Sequence, residues 1–451
     1  MIPDRLRTLT DLEALLRVST NYEEKLPREA LSRAFDLSRT RRLLASVGDP
    51  QDGPVTVHVT GSKGKGSTCR MVDAVLRAAG RGPVGLYVSP HLEHLTERVS
   101  VDGRPVDGDE LARAAEALLP HLRETFGGPD FPTFFEILTA AAHVAFRARG
   151  VATLVLEVGL GGRLDATNVC RPSVTAITTV ELEHTALLGP TVERIAAEKA
   201  GILKRGVPCV TAVPEASPAR AVIEATAQAT ESPLLRIGSE FDLEAARTGK
   251  GPRLDVRVRG PNGATPLDAV LPVAGLHQAH NAAVAVAIAR LLGVDDAATV
   301  EGLSGVTLPG RMERVLERPE VVIDGAHTVA SARAAARAAV TCFPHRRLHL
   351  VLGLLEEKDV AGILTPLLEI ATTVVACGVP SPRGLAPERL AEAVLSASRL
   401  PVTVARDPAA GLDEALARAQ PDDLVLVTGS LYLAGAARAA ARRLPGFLPK
   451  D

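Results

Sequence analysis

The alternation of apolar and polar positions changes character several times along the chain. Val55, Val57 and Val59 alternate with His58 and Thr60 at strand period, and from Cys69 to Ala79 the apolar residues recur at helical spacing until Gly80 stops them. Apolar strand-like runs return at Val151 to Val158, Val174 to Val180 and Pro208 to Val213, separated by helical stretches from Phe134 to Arg149 and from Val192 to Leu203. Alternating strands and helices predict a parallel sheet. Between Phe241 and Val273 the runs shorten and are punctuated by Gly251-Pro252 and Pro261-Asn262-Gly263, which predicts an antiparallel insertion. An alanine-rich helix is expected from about His280 to Leu292, and Gly302 to Gly310 reads as a linker. Beyond it the alternation resumes, with strands near Val321 to Asp324, Leu348 to Gly353, Thr373 to Cys377, Val402 to Ala405 and Leu424 to Thr428. The expected fold is therefore α/β, two doubly wound domains over residues 1–305 and 306–451, with ligands at the carboxyl ends of strands and in the cleft between the lobes.

Bulk properties narrow the function. A chain of 451 residues is too long for one ordinary core, and 46% hydrophobic residues suffice to fill two. A formal charge of −2 leaves no basic surplus for a nucleic-acid backbone, so an anionic ligand must be met by local cations. No uninterrupted apolar segment is long enough to span a bilayer, and the first residues, with Asp4, Arg5, Arg7, Asp11 and Glu13, lack the apolar stretch of a secretory signal. Five scattered cysteines fit reduced core thiols and a cytoplasmic protein.

The chemistry concentrates at strand ends. Between the first strand and its helix lies Gly61-Ser-Lys-Gly-Lys-Gly-Ser-Thr68, where Gly61, Gly64 and Gly66 let the main chain approach an anion at a helix N-terminus. Lys65 adds a mobile positive charge, and Ser67 or Thr68 a hydroxyl for magnesium; Gly66 interrupts the common Gly-Lys-Ser/Thr order, so the generic motif is not met. Glu157 closes a buried strand before the loop Gly159-Leu-Gly-Gly-Arg163, and needs either a metal ion bridging phosphates or an arginine such as Arg163. His184 and Ser89 also follow strands, each open to a structural reading as a hydrogen-bonded imidazole or a simple Ser-Pro turn. Lys199, near a helix end capped by Thr191, is either solvated or a desolvated neutral amine able to capture carbon dioxide as a carbamate, an added oxygen ligand for magnesium. Arg311 could reach from the hinge toward phosphates or lie on the surface, Asp324 could bind ribose or cap a helix, and Asn281 could cap a helix or contact adenine.

Taken in order, these segments resemble the folylpolyglutamate synthase and dihydrofolate synthase family, the folate branch of the Mur-type ATP-dependent amide ligases. The resemblance runs through Phe35-Asp-Leu37, Gly61 to Thr68, Ser89-Pro-His-Leu92 with Glu97-Arg98, Phe135-Glu136, Glu157 to Asn168, His184 and Glu198 to Gly201. It continues with His277-Gln278 and Asn281, Gly310-Arg311, Asp324 to His327, Lys358-Asp359 and Val427 to Tyr432. It implies a P-loop-like ATPase domain followed by a Rossmann-like domain. It further implies ATP on Gly61, Ser62, Lys63, Gly64, Lys65, Gly66 and Ser67 with Asn281, Arg311, Asp324 and His327, and magnesium near Ser67, Ser89, Glu157, His184 and a carbamylated Lys199. Lys65, Lys199, His184 and Arg311 carry the catalytic roles in that pattern, and pteroate lies near Asp36, Leu37, Thr133, Phe134, Phe135 and Asp165. Glu183, Thr328 and Lys63 depart from the usual residues of the family.

The activity so implied adds L-glutamate to dihydropteroate or to tetrahydrofolate and its polyglutamates, by a monomer with neither a nucleic-acid nor a membrane partner. A carboxylate attacks the γ-phosphate of ATP, giving an acyl phosphate and ADP, and the α-amine of glutamate then displaces phosphate. Two other readings share the nucleotide machinery: a Mur-type ligase acting on a peptidoglycan precursor, and a non-catalytic binding protein switched by ATP.

Overall fold

A computed structural model describes residues 2–23, 35–247, 251–260 and 264–448. The turn expected at Pro261 to Gly263 lies outside the described residues.

The first sheet has eight strands: β1 (Val55–Thr60), β2 (Val84–Tyr87), β3 (Val99–Val101), β4 (Arg104–Pro105), β5 (Thr153–Glu157), β6 (Val174–Ile177), β7 (Cys209–Thr211) and β8 (Leu234–Arg236). Their order is β4-β3-β2-β5-β1-β6-β7-β8, parallel from β2 to β8, with β3 and β4 added antiparallel at one edge. Chain order reverses around β1, which lies between β5 and β6, so the turn after β1 opens at a switch point of the sheet. The alternation in β1 has a clear cause. Val57 and Val59 pack on one face against the helices Lys65–Ala78 and His277–Leu291, while His58, also fully buried, faces the other layer and meets Thr167 at 2.8 Å. That second layer is built from Tyr87, Leu154 and Leu156 against the helix Phe134–Ala148, whose N-terminus is closed by a reciprocal cap between Thr133 and Glu136.

The predicted insertion is an antiparallel sheet, β9 (Asp242–Arg247), β10 (Leu254–Arg259) and β11 (Leu267–Leu271). Leu254, Val256 and Val258 turn inward onto the alanine-rich helix, and Asp255, Arg257 and Arg259 turn away. That helix is buried on nearly every side, which is why its sequence shows little polar periodicity.

The second sheet runs β12-β13-β17-β14-β15-β16, with β12 (Glu313–Glu317), β13 (Glu320–Ile323), β14 (Leu348–Leu352), β15 (Thr373–Cys377), β16 (Val402–Ala405) and β17 (Leu424–Thr428). Only β12 is antiparallel to its neighbour. Several boundaries differ from the sequence reading. The first phosphate-side helix begins at Lys65, not Cys69, because Gly64 takes a left-handed conformation and lets the helix start inside the glycine run. The expected linker loses its first residues to the helix Asp296–Ser304, which Asp295 caps. The helix from Val192 stops at Ala200. All five cysteines are buried and free, and no helix among the described residues is long and apolar enough to cross a membrane.

Candidate active site

The turn after β1 is tied down by the end of β6. The Ser62 N–H donates to the Thr179 carbonyl at 2.7 Å, the Lys63 N–H to Thr179 Oγ1 at 2.9 Å, and Thr178 Oγ1 to the Lys63 carbonyl at 2.6 Å. No side chain could replace hydrogen at Gly61, where a Cβ would lie 1.9 Å from Thr178 Oγ1. At Gly64 it would meet Asn281 Oδ1 at 2.2 Å. Asn281 thus braces the turn, and it sits inside the helix starting at His277 rather than capping it. The first N–H groups of the helix Lys65–Ala78 have no intrahelical acceptor and face outward with the positive end of the dipole. Ser67 is buried and its hydroxyl makes no hydrogen bond among the described residues; the Thr68 hydroxyl is fully enclosed and equally unpartnered. Lys65 Nζ donates to the Gly61 carbonyl at 2.9 Å, which spends one of its three donors.

Glu157 stands across from this turn. Its carboxylate is buried, accepts one hydrogen bond from the Ser89 N–H at 3.1 Å, and lies 3.1 Å from where a Cβ on Gly66 would be. Burial raises its pKa, opposed by the charges of Lys65, Arg311 and Arg70. Arg163, the structural alternative partner, is instead paired with Glu198 at 2.8 Å. Arg311, just before the second sheet, faces the same volume: its charge acts on the Glu157 carboxylate, and a Cβ on Gly325 would lie 2.8 Å from its Nη1. Arg70, one helical turn beyond Gly66, was missed in the sequence. Its guanidinium feels Glu157, Glu97, Asp73 and Arg311, with burial holding its pKa below the usual arginine value. An i, i+4 step from a glycine already facing the strand end was the available signal.

On the other side of the turn, Lys199 is 1% exposed and donates to Glu183 Oε1 at 2.8 Å. Burial lowers its pKa to about 8 against the opposing pull of Glu183. Burial pushes Glu183 up, but Lys199, Lys65 and Lys63 together bring it below the ordinary carboxylate value. The Glu183 carboxylate thus addresses both Lys199 and, at 3.9 Å, Lys63. His184 is exposed and left-handed at φ 46°, within the fields of Glu183, Lys65, Lys199 and Lys358.

Among the described residues no three His, Cys, Asp or Glu side chains gather as a metal cluster. The donors present are one buried carboxylate with a single hydrogen bond, free hydroxyls and an imidazole. That set suits a hard cation bound mainly through water, phosphate and one or two protein oxygens, as magnesium is.

The second-sheet residues are placed differently from one another. Asp324 is committed to the main chain, accepting from the Met312 N–H at 2.9 Å and the Ala326 N–H at 2.8 Å, so it shapes the hinge beside Arg311 and does not cap a helix. Thr328 caps the next helix, with Ser331 as reciprocal partner. Burial drops the His327 pKa to about 3, and its Nδ1 is 2.9 Å from the Gly325 carbonyl.

A second group surrounds the loop after β5. Phe135 lies under Gly159, where a Cβ would approach the ring to 2.7 Å, and 5.9 Å from the Tyr87 ring. Phe134 lies beneath the Arg98 guanidinium at 5.4 Å. Asp165 is buried with a raised pKa and accepts from the Leu160 N–H at 2.9 Å and from Thr167. Asp36 caps the helix Leu37–Ala45 through the Ser38 N–H, and that helix packs near Asp165. Thr133 is the cap already described, held by Glu136, which also takes a two-point pair from Arg39.

A parallel sheet with a lysine-bearing turn, followed by a second α/β sheet with Arg311 at its start, fits the architecture of the Mur-type ligases, and known proteins agree. Residues 59–289 match the Mur ligase middle domain and residues 310–431 the Mur ligase glutamate ligase domain. A solved folylpolyglutamate synthase of Mycobacterium tuberculosis, complexed with ADP, superposes with a TM-score of 0.86 at 33% identity, covering 97% of this chain and 99% of that one. The chain is 34% identical over 481 aligned residues to the dihydrofolate synthase/folylpolyglutamate synthase of the same organism, covering 98% and 96% of the two chains. It is 40% identical over 426 residues to a probable bifunctional folylpolyglutamate synthase/dihydropteroate synthase of Haloferax volcanii, with 91% of this chain matched; the chain spans about half, 50%, of that relative's length. The chain belongs to the folylpolyglutamate synthase/dihydrofolate synthase family.

Proposed function

We propose that the protein joins the α-amine of L-glutamate to the carboxylate of dihydropteroate, of a reduced folate, or of both, at the expense of ATP. The observation that carries this reading is the convergence of Lys65, Arg70 and Arg311 on the volume in front of Glu157. Three cations with few hydrogen-bond partners and one under-bonded carboxylate suit a triphosphate with its divalent ion.

In the proposed sequence, free N–H groups of the turn hold the phosphates, and Lys65 exchanges its bond to the Gly61 carbonyl for one to the γ-phosphate. Arg311 and Arg70 offset charge as the acceptor carboxylate takes the phosphoryl group. Glu157, Ser67, Ser89 and His184 are the residues that would hold magnesium, which when bound neutralises phosphate charge. The loop after β5, with Phe134, Phe135, Thr133, Asp36, Leu37 and Asp165, holds the aromatic part of the acceptor and keeps its carboxylate toward the turn. Asn281, Asp324 and His327 keep the turn and the hinge in register.

The reading includes carbamylation of Lys199. A pKa of about 8 leaves roughly a tenth of the amine neutral at pH 7, and that fraction can take up carbon dioxide. The product is an anion beside Glu183, so Glu183 must shift toward Lys63. Native mass spectrometry, with and without bicarbonate, reads the added mass directly.

Residues 1–305 and 306–451 are taken as the two domains of a cytoplasmic monomer. The test is incubation with ATP and glutamate in parallel with dihydropteroate, a tetrahydrofolate or a UDP-linked peptidoglycan precursor, with products read by mass spectrometry. A mass gain of one or more glutamyl units on a pteridine acceptor supports the reading, and product only from the UDP-linked compound overturns it. ATP turnover indifferent to both acceptor and amine would favour a nucleotide-switched binding protein.

A further inference from the structure

Arg438 lies in the helix Leu431–Ala441, outside every motif named above, yet its side chain is only 9% exposed and it bridges three parts of the chain. Its Nη1 donates to Glu93 at 2.6 Å and its Nε to both oxygens of Glu313 at 3.0 Å. Arg442 adds a second donor to Glu93 at 3.2 Å, so two cations meet two carboxylates. Glu93 and Glu313 are themselves nearly enclosed, with side chains 3% and 12% exposed. Charges so desolvated hold their positions only while each keeps its partners.

Glu93 belongs to the segment that follows Ser89. There Glu97 accepts from the main-chain N–H groups of Leu92, Glu93 and His94 at 2.8, 3.0 and 2.9 Å, so the segment is stiff. Glu313 accepts from the Gly310 N–H at 2.8 Å, and Asp324 from that of Met312, so the main chain on both sides of Arg311 is fixed. Leu92 is clasped between two glycines. A Cβ on Gly310 would touch its side chain at 3.0 Å, and one on Gly435 would strike its carbonyl oxygen at 1.9 Å. The planar fork of Arg438 therefore ties the segment carrying Ser89, whose N–H holds Glu157, to the hinge carrying Arg311.

We infer that Arg438 is a positioning residue: through Glu93 and Glu313 it sets the separation of Arg311 from Glu157, and so governs phosphoryl transfer without touching the nucleotide. This rests on the ligase reading above. Lysine does not substitute, because a compact ammonium cannot present donors to two carboxylates in a fixed fork.

The test is a double-mutant cycle on the full-length protein. Alone, Arg438→Lys should lower kcat by roughly ten- to a hundredfold, the scale of an ångström-sized misplacement, with KM for ATP nearly unchanged. Glu93→Gln, close in shape, should do the same. In an Arg311→Ala background, Arg438→Lys should add little, since its effect passes through Arg311. Full additivity overturns the inference, and so does a variant that melts earlier but keeps its kcat per folded molecule. If Arg438→Lys does not fold, Glu93→Gln carries the same cycle. An unmutated protein inactive toward every acceptor defeats the ligase reading instead, so the two failures are distinguishable.

Discussion

Two charged regions of this molecule are built on opposite rules. At the seam between the sheets, Arg438, Glu93 and Glu313 are largely enclosed, and with the more exposed Arg442 they pair at 2.6 to 3.2 Å. At the turn after β1, Glu157 has one hydrogen bond, Lys65 one, and the Ser67 and Thr68 hydroxyls none among the described residues. A buried charge without partners is costly. Unlike the seam, the turn keeps charged groups with unused hydrogen-bonding capacity, which suits it to an ionic ligand. The Arg39–Glu136 pair, inside the second group of site residues, follows the seam's rule and serves to hold Thr133 in position.

The comparison can be broken at several points. The largest effect is expected at the saturated Arg39–Glu136 pair, where Arg39→Met strands a carboxylate 6% exposed and should cost about 3–5 kcal/mol of stability in urea melts. Little loss would mean that paired charges here are not mutually dependent. Next is Lys65→Ala. It removes a charge the fold leaves under-used, so stability should hold while turnover falls roughly a hundred- to a thousandfold, or about 2.7–4 kcal/mol. A variant that unfolds, or one that keeps full turnover, would erase the distinction between the regions.

Gly435→Ala tests the seam by shape alone. A methyl 1.9 Å from the Leu92 carbonyl forces one backbone to move, at about 1–3 kcal/mol of stability, read by thermal melting. The smallest of the four effects is expected at His143, buried with neither ring nitrogen partnered and set edge-on to Phe146. Here the rule predicts a neutral group. Burial lowers its pKa to about 4 from 6.5, so below pH 6.5 the unfolded chain takes up a proton that the native state refuses until near pH 4. Stability therefore falls as pH drops through that window, by about 2 kcal/mol at pH 5 from this group. His143→Leu should lessen the slope between pH 6.5 and 4, leaving the share of other buried histidines such as His327; an unchanged slope would contradict the assignment.

Much of the fold was legible because its signals are local. Val55 to Thr60, the glycine run and the helix behind it declare a strand, a turn and an anion site within a short window. β15, β16 and β17 were read at the residues where they occur. The helix start was misjudged because the left-handed Gly64 moves it back to Lys65, and the linker because Asp295 caps one more helix. Glu157, Lys199 and His184 could be flagged from their places after strands or near a helix end. That Lys199 faces Glu183, and that Arg163 faces Glu198 instead of Glu157, depends on packing. The seam was invisible for a plainer reason: Arg438 meets partners 125 and 345 residues away, and an arginine in an alanine-rich helix reads as solvated surface.

The proposed role of the under-partnered charges around the first turn is to move a phosphoryl group from ATP onto a carboxylate. Its most direct test is oxygen tracing. With the acceptor carboxylate labelled with oxygen-18, ATP and glutamate, one labelled oxygen should appear in the inorganic phosphate for each amide bond formed. Amide product accompanied by unlabelled phosphate would contradict the account.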